Sequence, residues 1–263
     1  MHILLTNDDG VQAPGLQALA HSFKAVGRVT ILAPDRNWSA SGHVKTMHRP
    51  LRVWETHLSD GTAALTSDGA PSDCVALALL GLIKEPIDLV VSGINPLANV
   101  GHDVTYSGTV TAAMEAAIAG VPGIAFSIDP PADHDGPVVY NTAATLAAKI
   151  AEQVMAHSKG EQILLNVNIP YGERDQIQGI AITRQGLRVY HDALDERTDP
   201  RGRQYYWIGG DAPGGVVEPG TDFWALANGY VSVTPLSLDL TDKRTLSTIE
   251  AWNLKLTQSG VIK

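Results

Sequence analysis

The amino-acid sequence predicts an α/β fold in which a mostly parallel sheet carries helices on both faces. Over roughly the first two-thirds of the chain, short apolar runs alternate with longer segments of helical periodicity. The apolar runs are nearly continuous, as in strands that are buried on both faces of a sheet. Because strands that are separated by helices pair in parallel, the order of these segments predicts the fold class.

The predicted elements alternate regularly up to about residue 169. Strands are predicted at residues 3–6, 29–33, 88–93, 123–127 and 163–168. Helices are predicted at residues 15–25, 73–83, 109–119 and 141–155. Two further strands are expected at residues 180–183 and 229–234.

Between these last two strands lies a long segment, residues 192–221, that is rich in glycine, proline and charge. It contains the aromatic run Tyr205-Tyr206-Trp207-Ile208, a candidate short strand. Connections of this length are uncommon inside a compact domain, and they serve as lids, disordered loops or arms. Aromatic residues are enriched at contact surfaces, which favours an arm that packs on another subunit. An amphipathic helix is expected at residues 244–256, with Leu246, Ile249, Trp252 and Leu256 at helical spacing.

Composition narrows the possible partners. The chain has 263 residues, 44% of them hydrophobic and 18% charged, with a formal net charge of −9. This acidic balance argues against binding to a nucleic acid polymer, which needs a basic face. No apolar run approaches the ~20 residues of a membrane span. The chain enters a strand directly, so we expect no signal peptide and a cytoplasmic protein. Cys74 is the only cysteine and is expected to be buried in a helix.

The most informative segment is Asn7-Asp8-Asp9-Gly10, directly after the first predicted strand. In open α/β sheets, ligands bind at the carboxyl ends of the strands. Two adjacent carboxylates repel each other and favour a cation, and their oxygens suit Mg²⁺, Mn²⁺ or Ca²⁺. The alternative is a polar turn marked by Asp-Gly.

Two other predicted strand ends carry similar chemistry. Residues 35–42, around Ser39, combine small residues with hydroxyls, as in an anion site, a metal site or an ordinary loop. Asn95 offers an amide oxygen that a hard cation accepts. Asn99 offers amide donors to a phosphoryl oxygen. Alternatively, both asparagines serve a turn around Pro96.

A third strand-end segment places Ser107, Gly108 and Thr109 at or near the start of a predicted helix. The free N–H groups and the positive end of the helix dipole form a seat for an anion. A simple N-cap, which stabilises a helix by ~1 kcal/mol, is the alternative and is compatible with anion binding.

Several known signatures are absent from the sequence. It contains no G-x-G-x-x-G fingerprint, no Walker-type loop, no G-x-S-x-G elbow and no Cys/His cluster for zinc. Histidines in the candidate loops are interpreted as packing or surface residues: His43, His48 and His102.

Taken in order along the chain, these segments closely resemble the SurE family, the stationary-phase survival proteins, which are metal-dependent 5'-nucleotidases. The resemblance covers nearly the whole chain. It is carried by Asn7-Asp8-Asp9-Gly10, Ala33-Pro34-Asp35-Arg36-Asn37, Ser67-Asp68-Gly69-Ala70-Pro71, Ser92-Gly93-Ile94-Asn95, Tyr106-Ser107-Gly108-Thr109-Val110, Asn166-Val167-Asn168, Thr183-Arg184-Gln185-Gly186 and Gly229-Tyr230-Val231-Ser232.

The resemblance implies a Rossmann-like, mostly parallel sheet with an extended β-hairpin arm and a C-terminal helix. It implies one domain over residues 1–263, with the core at 1–180 and the arm, closing strands and terminal helix at 181–263. The arm and the helix would be exchanged between subunits of a homodimer or homotetramer. The implied cofactor is one divalent metal per subunit, Mg²⁺ or Mn²⁺. Its implied ligands are Asp8, Asp9, Ser39 and Asn95.

The implied activity is phosphate release from nucleoside 5'-monophosphates, and in some members also from 3'-monophosphates and short polyphosphate. In this hypothesis Asn99 and the amides of Ser107, Gly108 and Thr109 hold the phosphoryl oxygens. Asp8 orients or deprotonates a water, or attacks phosphorus itself. A non-catalytic nucleotide-binding oligomer is the alternative. A haloacid-dehalogenase-like phosphatase is disfavoured because its carboxylates follow Asp-x-Asp spacing.

The sequence departs from the family pattern at two loops. Where the family commonly has Arg-Ser-Gly, this chain has Trp38-Ser39-Ala40. Loss of that arginine is expected to weaken substrate binding. Leu97 replaces a family glycine, which would introduce strain if the position requires a positive φ.

Overall fold

The computed structural model describes residues 1–158 and 160–255. Its helices are α1 (Pro14–Phe23), α2 (Pro71–Leu77), α3 (Gly108–Ile118), α4 (Asn141–Ser158), α5 (Asp222–Ala227) and α6 (Lys243–Ala251). The strands of its first half are β1 (His2–Thr6), β2 (Arg28–Pro34), β3 (Val53–His57), β4 (Ala63–Ser67), β5 (Leu89–Asn95) and β6 (Gly123–Asp129). The later strands are β7 (Leu164–Pro170), β8 (Gly179–Ile182), β9 (Arg188–Thr198), β10 (Gln204–Gly215) and β11 (Tyr230–Pro235).

Within the described residues, nine strands form one sheet in the order β3-β4-β2-β1-β5-β6-β7-β11-β8. Neighbours from β4 through β7 are all parallel. The outer strands include two antiparallel pairs, β3 with β4 and β11 with β7. The predicted α/β class with a mostly parallel sheet is therefore confirmed.

Helices cover both faces of the sheet, and β1 shows why its sequence is apolar throughout. Ile3 and Leu5 point into the core cluster under α1 and α4. Leu4 points into the opposite cluster, which includes Cys74 on α2 and Ala112 on α3. The thiol of Cys74 is fully buried, and burial raises its pKa, so this cysteine is a packing residue as expected.

The structure also corrects the predicted elements. The hairpin formed by β3 and β4 was missed, although Asp60-Gly61 marks the turn between them. The short helix α5 was also missed. The sequence predicted a single helix at residues 73–83, but the structure has two elements there. Helix α2 starts earlier, at Pro71, and a π-helical turn follows it at Ala78–Leu82. Proline favours the first helical position, which explains the earlier start.

The long segment after β8 forms an extended antiparallel hairpin of β9 and β10, separate from the main sheet. It begins at Arg188, before the residue 192 that the sequence indicated. Its exposed apolar side chains include Leu194, Tyr206, Trp207 and Ile208. Helix α6 exposes Leu246 and Ile249, and Trp252 directly after its last residue is also exposed. Leu256 of the predicted helix lies outside the described residues. Across those residues, none of the helices combines the length and apolarity that spanning a membrane requires.

Candidate active site

The sheet order places the ends of β1, β2 and β5 side by side, because β1 pairs in parallel with both neighbours. The loops that leave these strands are joined directly. The backbone N–H of Trp38 donates to the carbonyl oxygen of Asp8 at 2.7 Å, and that of Val11 donates to Pro34 at 2.8 Å. Strands distant in sequence therefore bring the Asp8 and Ser39 loops to one edge.

Asp8 is the centre of the contacts at this edge. Its side chain is buried, and its Oδ1 accepts a hydrogen bond from the hydroxyl of Thr109 at the start of α3. A Cβ atom at Gly108 would lie 2.7 Å from the Cβ of Asp8. Only glycine therefore lets the start of α3 approach this carboxylate so closely.

The environment disfavours negative charge on both carboxyl groups when no cation is bound. Burial raises the pKa of Asp8, although hydrogen bonds from the Thr109 side chain and the α3 backbone oppose the shift. Burial, and to a smaller extent the charge of Asp8, raises the pKa of Asp9 to about 7. Two carboxylates that are costly to ionise together favour a bound cation.

The start of α3 is capped as the sequence indicated. Ser107 is the N-cap, and its Oγ accepts a hydrogen bond from Val110 N at 3.1 Å. The hydroxyl of Ser107 thus serves the helix, while the first backbone N–H groups of the helix lie next to Asp8. The cap is therefore observed, whereas anion binding at this helix start stays a prediction.

Asn95 ends β5, beside the end of β1. Its Nδ2 donates to the carbonyl oxygen of Leu97, so its Oδ1 is directed by a local turn. Among the described residues other than glycine, only Ala40 and Asn253 have positive φ. Leu97 therefore carries no left-handed strain, and the concern about replacing the family glycine is resolved.

The loop around Ser39 has a different peculiarity. Ser39 is exposed, and its backbone N–H donates to Asn37 Oδ1 at 2.7 Å. The guanidinium of Arg36 lies 4.8 Å from the ring centroid of Trp38, a cation–π contact. A positive charge thus remains in the loop even though Trp38 stands where the family commonly has arginine. Ala40, at φ 57°, occupies a conformation that favours glycine.

Asn99 is buried in a polar network on the side of β6 and β7. Its Nδ2 donates to Ser127 Oγ at 2.9 Å, and its backbone N–H donates to Asn168 Oδ1 at 2.8 Å. Its carbonyl oxygen accepts from Nδ2 of Asn166 at 2.7 Å. These contacts fix the loop after β5, and the role of Asn99 toward a phosphoryl oxygen stays a prediction.

Sequence reasoning missed a charged cluster that holds the Ser39 loop. Glu115, nearly buried on α3, accepts from His43 Nε2 at 2.9 Å and from Lys45 Nζ at 3.0 Å. Thr111, one turn earlier on α3, donates to the carbonyl oxygen of Gly42 at 3.1 Å. A glutamate within the Ala-rich α3 was the available signal, because a charge on such a helix requires a partner.

The candidate ligands form a set that suits a hard divalent cation. Two carboxylates, one amide oxygen and one hydroxyl are all oxygen donors: Asp8, Asp9, Asn95 and Ser39. The described part of the chain contains no group of three or more His, Cys, Asp or Glu side chains that could hold a metal ion. Neutral oxygens would therefore complete the coordination. Asn7, also buried here, has an Oδ1 without a hydrogen-bond partner among the described residues.

Comparison with known proteins identifies the family. The family model described as "Survival protein SurE" matches residues 3–192. The chain belongs to the SurE family. It is 51% identical to a 5'-nucleotidase SurE of Herpetosiphon aurantiacus, over 92% of this chain and 94% of the relative. It is 49% identical to a 5'-nucleotidase SurE of Chloroflexus aggregans, over 96% of this chain and 99% of the relative.

A solved structure extends the agreement with the SurE family to the fold. The crystal structure of the SurE protein from Aquifex aeolicus matches with a TM-score of 0.80 at 39% identity. The match covers 96% of this chain and 100% of the Aquifex chain. The resemblance stated from the sequence is therefore confirmed for both family and fold.

Proposed function

We propose that this protein is a metal-dependent 5'-nucleotidase that releases phosphate from nucleoside 5'-monophosphates. The observation that carries the proposal is the buried Asp8 carboxylate, held by Thr109 at the start of α3 and flanked by Asp9. This arrangement joins a cation site to an anion seat, as phosphomonoester hydrolysis needs. The relatives named 5'-nucleotidase SurE support the same activity.

The cation would be held by Asp8, Asp9, Ser39 and Asn95, with Mg²⁺ or Mn²⁺ as the candidates, one in each subunit. When bound, it supplies positive charge that offsets the charge on a phosphoryl oxygen. The oxygen-only donor set described above supports these metals over zinc or copper.

The other roles belong to residues of the chain. The positive end of the α3 dipole, at Gly108 and Thr109, would attract phosphoryl oxygens beside Asp8. Ser107 fixes that helix start by capping it, and Asn99 holds the adjoining loop while donating to the phosphoryl group. Asp8 activates the attacking water or attacks phosphorus itself. Acid-quench trapping of a phospho-aspartate distinguishes these two roles for Asp8.

The assembly is proposed to be a homodimer or homotetramer, formed by exchange of the β9–β10 arm and α6. Both elements expose apolar side chains that a monomer leaves in water, which supports this proposal. We place the protein in the cytoplasm by its family.

The decisive experiment measures phosphate release from a panel of 5'- and 3'-nucleoside monophosphates, with Mg²⁺, Mn²⁺ or EDTA. We expect turnover of 5'-monophosphates with either metal and none in EDTA. Binding of nucleotides without turnover under all metal conditions would overturn the proposal and leave a non-catalytic nucleotide-binding protein.

A further inference from the structure

A cleft of about 800 Å³ opens beside the candidate active site, between α1 and the start of α4. Pro14 and Tyr140 are among the residues that line it. Pro14 is the first residue of α1 and follows the Asp8-Asp9 turn closely in sequence. A Cβ at Gly15 would lie 2.2 Å from the carbonyl oxygen of Ile94, so this end of α1 lies against the residue before Asn95. The lining of the cleft at Pro14 and Tyr140 therefore lies close to the candidate metal ligands Asn95 and Asp9.

Tyr140 is placed to contact a ligand in this cleft. It precedes α4, and its carbonyl oxygen accepts from Ala144 N at 2.8 Å, so the start of the helix fixes its backbone. Its ring is partly buried against the core under α1 and α4. Within the described residues, its hydroxyl forms no hydrogen bond. Burial, with a smaller contribution from the charge of Asp9, raises the pKa of Tyr140 to about 12, so the hydroxyl remains a donor.

The remaining lining suits an uncharged ligand. Apolar surface comes from Ala18 and Val138, and polar groups come from Gln17 and Asn141. A pocket of this size with a few polar groups is typical of a small-molecule site. The described residues that line it include neither lysine nor arginine, and Asp60 adds a negative charge. A further phosphate group would be repelled here, whereas a sugar and an aromatic base would not.

We infer that this cleft binds the nucleoside part of the substrate, with Tyr140 as the residue that contacts the base. The inference rests on the proposed function and adds where the nucleoside part of the substrate binds. Because the described lining of the cleft includes no lysine or arginine to bind additional phosphates, we expect it to favour nucleoside monophosphates over polyphosphate chains. Catalysis on the phosphoryl group would remain with the residues at the strand ends.

The test compares a nucleotide with a phosphomonoester that lacks a base. We expect Tyr140→Leu to lower kcat/KM for 5'-AMP about tenfold, the loss expected for one base–aromatic contact. For glycerol 3-phosphate, kcat/KM should stay within about twofold. Tyr140→Phe keeps the ring and should retain most of the preference for 5'-AMP. Equal losses on both substrates, or no loss on 5'-AMP, would overturn the inference.

A second variant blocks the cleft without touching Tyr140. Ala18→Trp fills the space beside α1, and Ile118→Trp adds the same side chain to an exposed position on α3 as its control. Adenosine binding to the metal-free protein is measured by titration calorimetry. We expect one adenosine site in the wild type and in Ile118→Trp, and at least tenfold weaker binding in Ala18→Trp. Absence of wild-type binding, or equal binding by Ala18→Trp, would contradict the inference.

The two proposals fail in different ways. A wild-type protein that hydrolyses neither 5'-AMP nor glycerol 3-phosphate contradicts the proposed function, while the adenosine titration still decides whether the cleft binds a nucleoside. Hydrolysis of both substrates with equal kcat/KM contradicts the cleft inference and leaves phosphatase activity in place.

Discussion

At the scale of single residues, Asp8 shows how the fold creates reactivity. The strand end places its carboxylate against the start of α3, and burial makes its charge costly unless a cation is bound. We predict that Asp8→Asn lowers metal-dependent kcat on 5'-AMP at least about 100-fold, because the proposed metal site loses a charged ligand and the reaction loses its candidate base or nucleophile. The thermal midpoint in EDTA should not fall, since a buried charge is removed.

The matched control for this prediction is Asp175→Asn, which neutralises an exposed carboxylate. It should leave both kcat and the thermal midpoint unchanged. Near-normal turnover by Asp8→Asn would remove Asp8 from the mechanism.

In the proposed metal site, Asp9 would link metal binding to pH. Its folded-state pKa of about 7 lies above the ordinary value of 3.8, so the metal-free folded protein holds this proton more tightly than the unfolded chain. Between these values the folded state binds more protons, and its stability therefore falls as pH rises. We predict that the thermal midpoint in EDTA decreases from pH 5 to pH 8, and that Asp9→Asn reduces this decrease. An identical pH dependence in both proteins would contradict the assignment.

The same proton competes with the cation. Because metal binding requires the ionised carboxylate, the metal concentration for half-maximal binding should rise as pH falls below about 7. Calorimetric titration with Mn²⁺ at several pH values measures this shift directly.

Ala40 gives a stability prediction in the loop beside Trp38. At φ 57° an L-residue costs roughly 1–2 kcal/mol, which glycine avoids. We predict that Ala40→Gly does not destabilise the protein, even though glycine usually does so by increasing the entropy of the unfolded chain. Ala119, an exposed alanine at φ −80°, supplies the control, and Ala119→Gly should lower the free energy of unfolding by about 0.5–1 kcal/mol. Equal losses in urea unfolding for the two variants would refute this.

The sequence largely predicted which residue types lie at the candidate site, but it did not predict their contacts or backbone conformations. The carboxylates at the first strand end and the cap at Ser107 follow from local patterns. The conformation of Ala40 depends on how its loop is held, by contacts with α3 that no local pattern encodes. Tyr140 lies far from Asp9 in sequence, and only the packing of α4 beside α1 places it at the cleft.

At the scale of elements, α3 contacts the candidate site and its adjoining loop from its start to Glu115. Its start contacts Asp8, Thr111 holds Gly42, and Glu115 holds His43 and Lys45. One helix therefore contacts both Asp8 and the loop that carries Ser39. The helix acts as a common support for groups that come from separate strands.

Because Glu115 attaches the loop that carries Ser39 to α3, we predict that it affects metal binding. Glu115→Ala should weaken Mn²⁺ binding several-fold, because the loop that carries Ser39 loses its attachment to α3. Its effect on the free energy of unfolding should be about 1 kcal/mol, since Lys45 and His43 are partly exposed. Glu152→Ala, which removes an exposed glutamate on α4, is the control. Unchanged Mn²⁺ affinity in the Glu115 variant would show that the loop is fixed by other contacts.

Predictability also differs among elements. The strands buried on both faces were found because their apolar runs are continuous. The edge strand β3 and its neighbour β4 carry mixed, partly exposed sequences. Their hairpin joins the sheet through the pairing of β4 with β2, for example Leu65 with Leu32, which is distant in sequence. Helix α5 has only six residues, too short for a clear periodicity.

At the scale of the whole molecule, a buried carboxylate connects the arm to the active-site loop. Asp222 is fully buried and accepts from the backbone N–H groups of Gly101 and Gly186, each at 2.8 Å. Gly101 lies between Asn99 and Ser107, and Gly186 lies just before β9. Asp103 adds a second connection, because it accepts from Tyr190 Oη at 2.7 Å. The base of the arm and the loop after β5 are thus held as one unit.

The arm itself gives the prediction for assembly. Leu194 and Ile208 are a cross-strand pair of the hairpin and are 69% and 84% exposed, as expected for a surface that a partner subunit covers. We predict that changing both to Asp lowers the molar mass measured by light scattering to that of a smaller species. The matched control changes Thr198 and Gln204, a polar exposed pair of the same hairpin, to Asp and adds the same charge. If the control dissociates equally, charge repulsion rather than lost apolar contact explains the result. If neither dissociates, the assembly does not depend on this face of the arm.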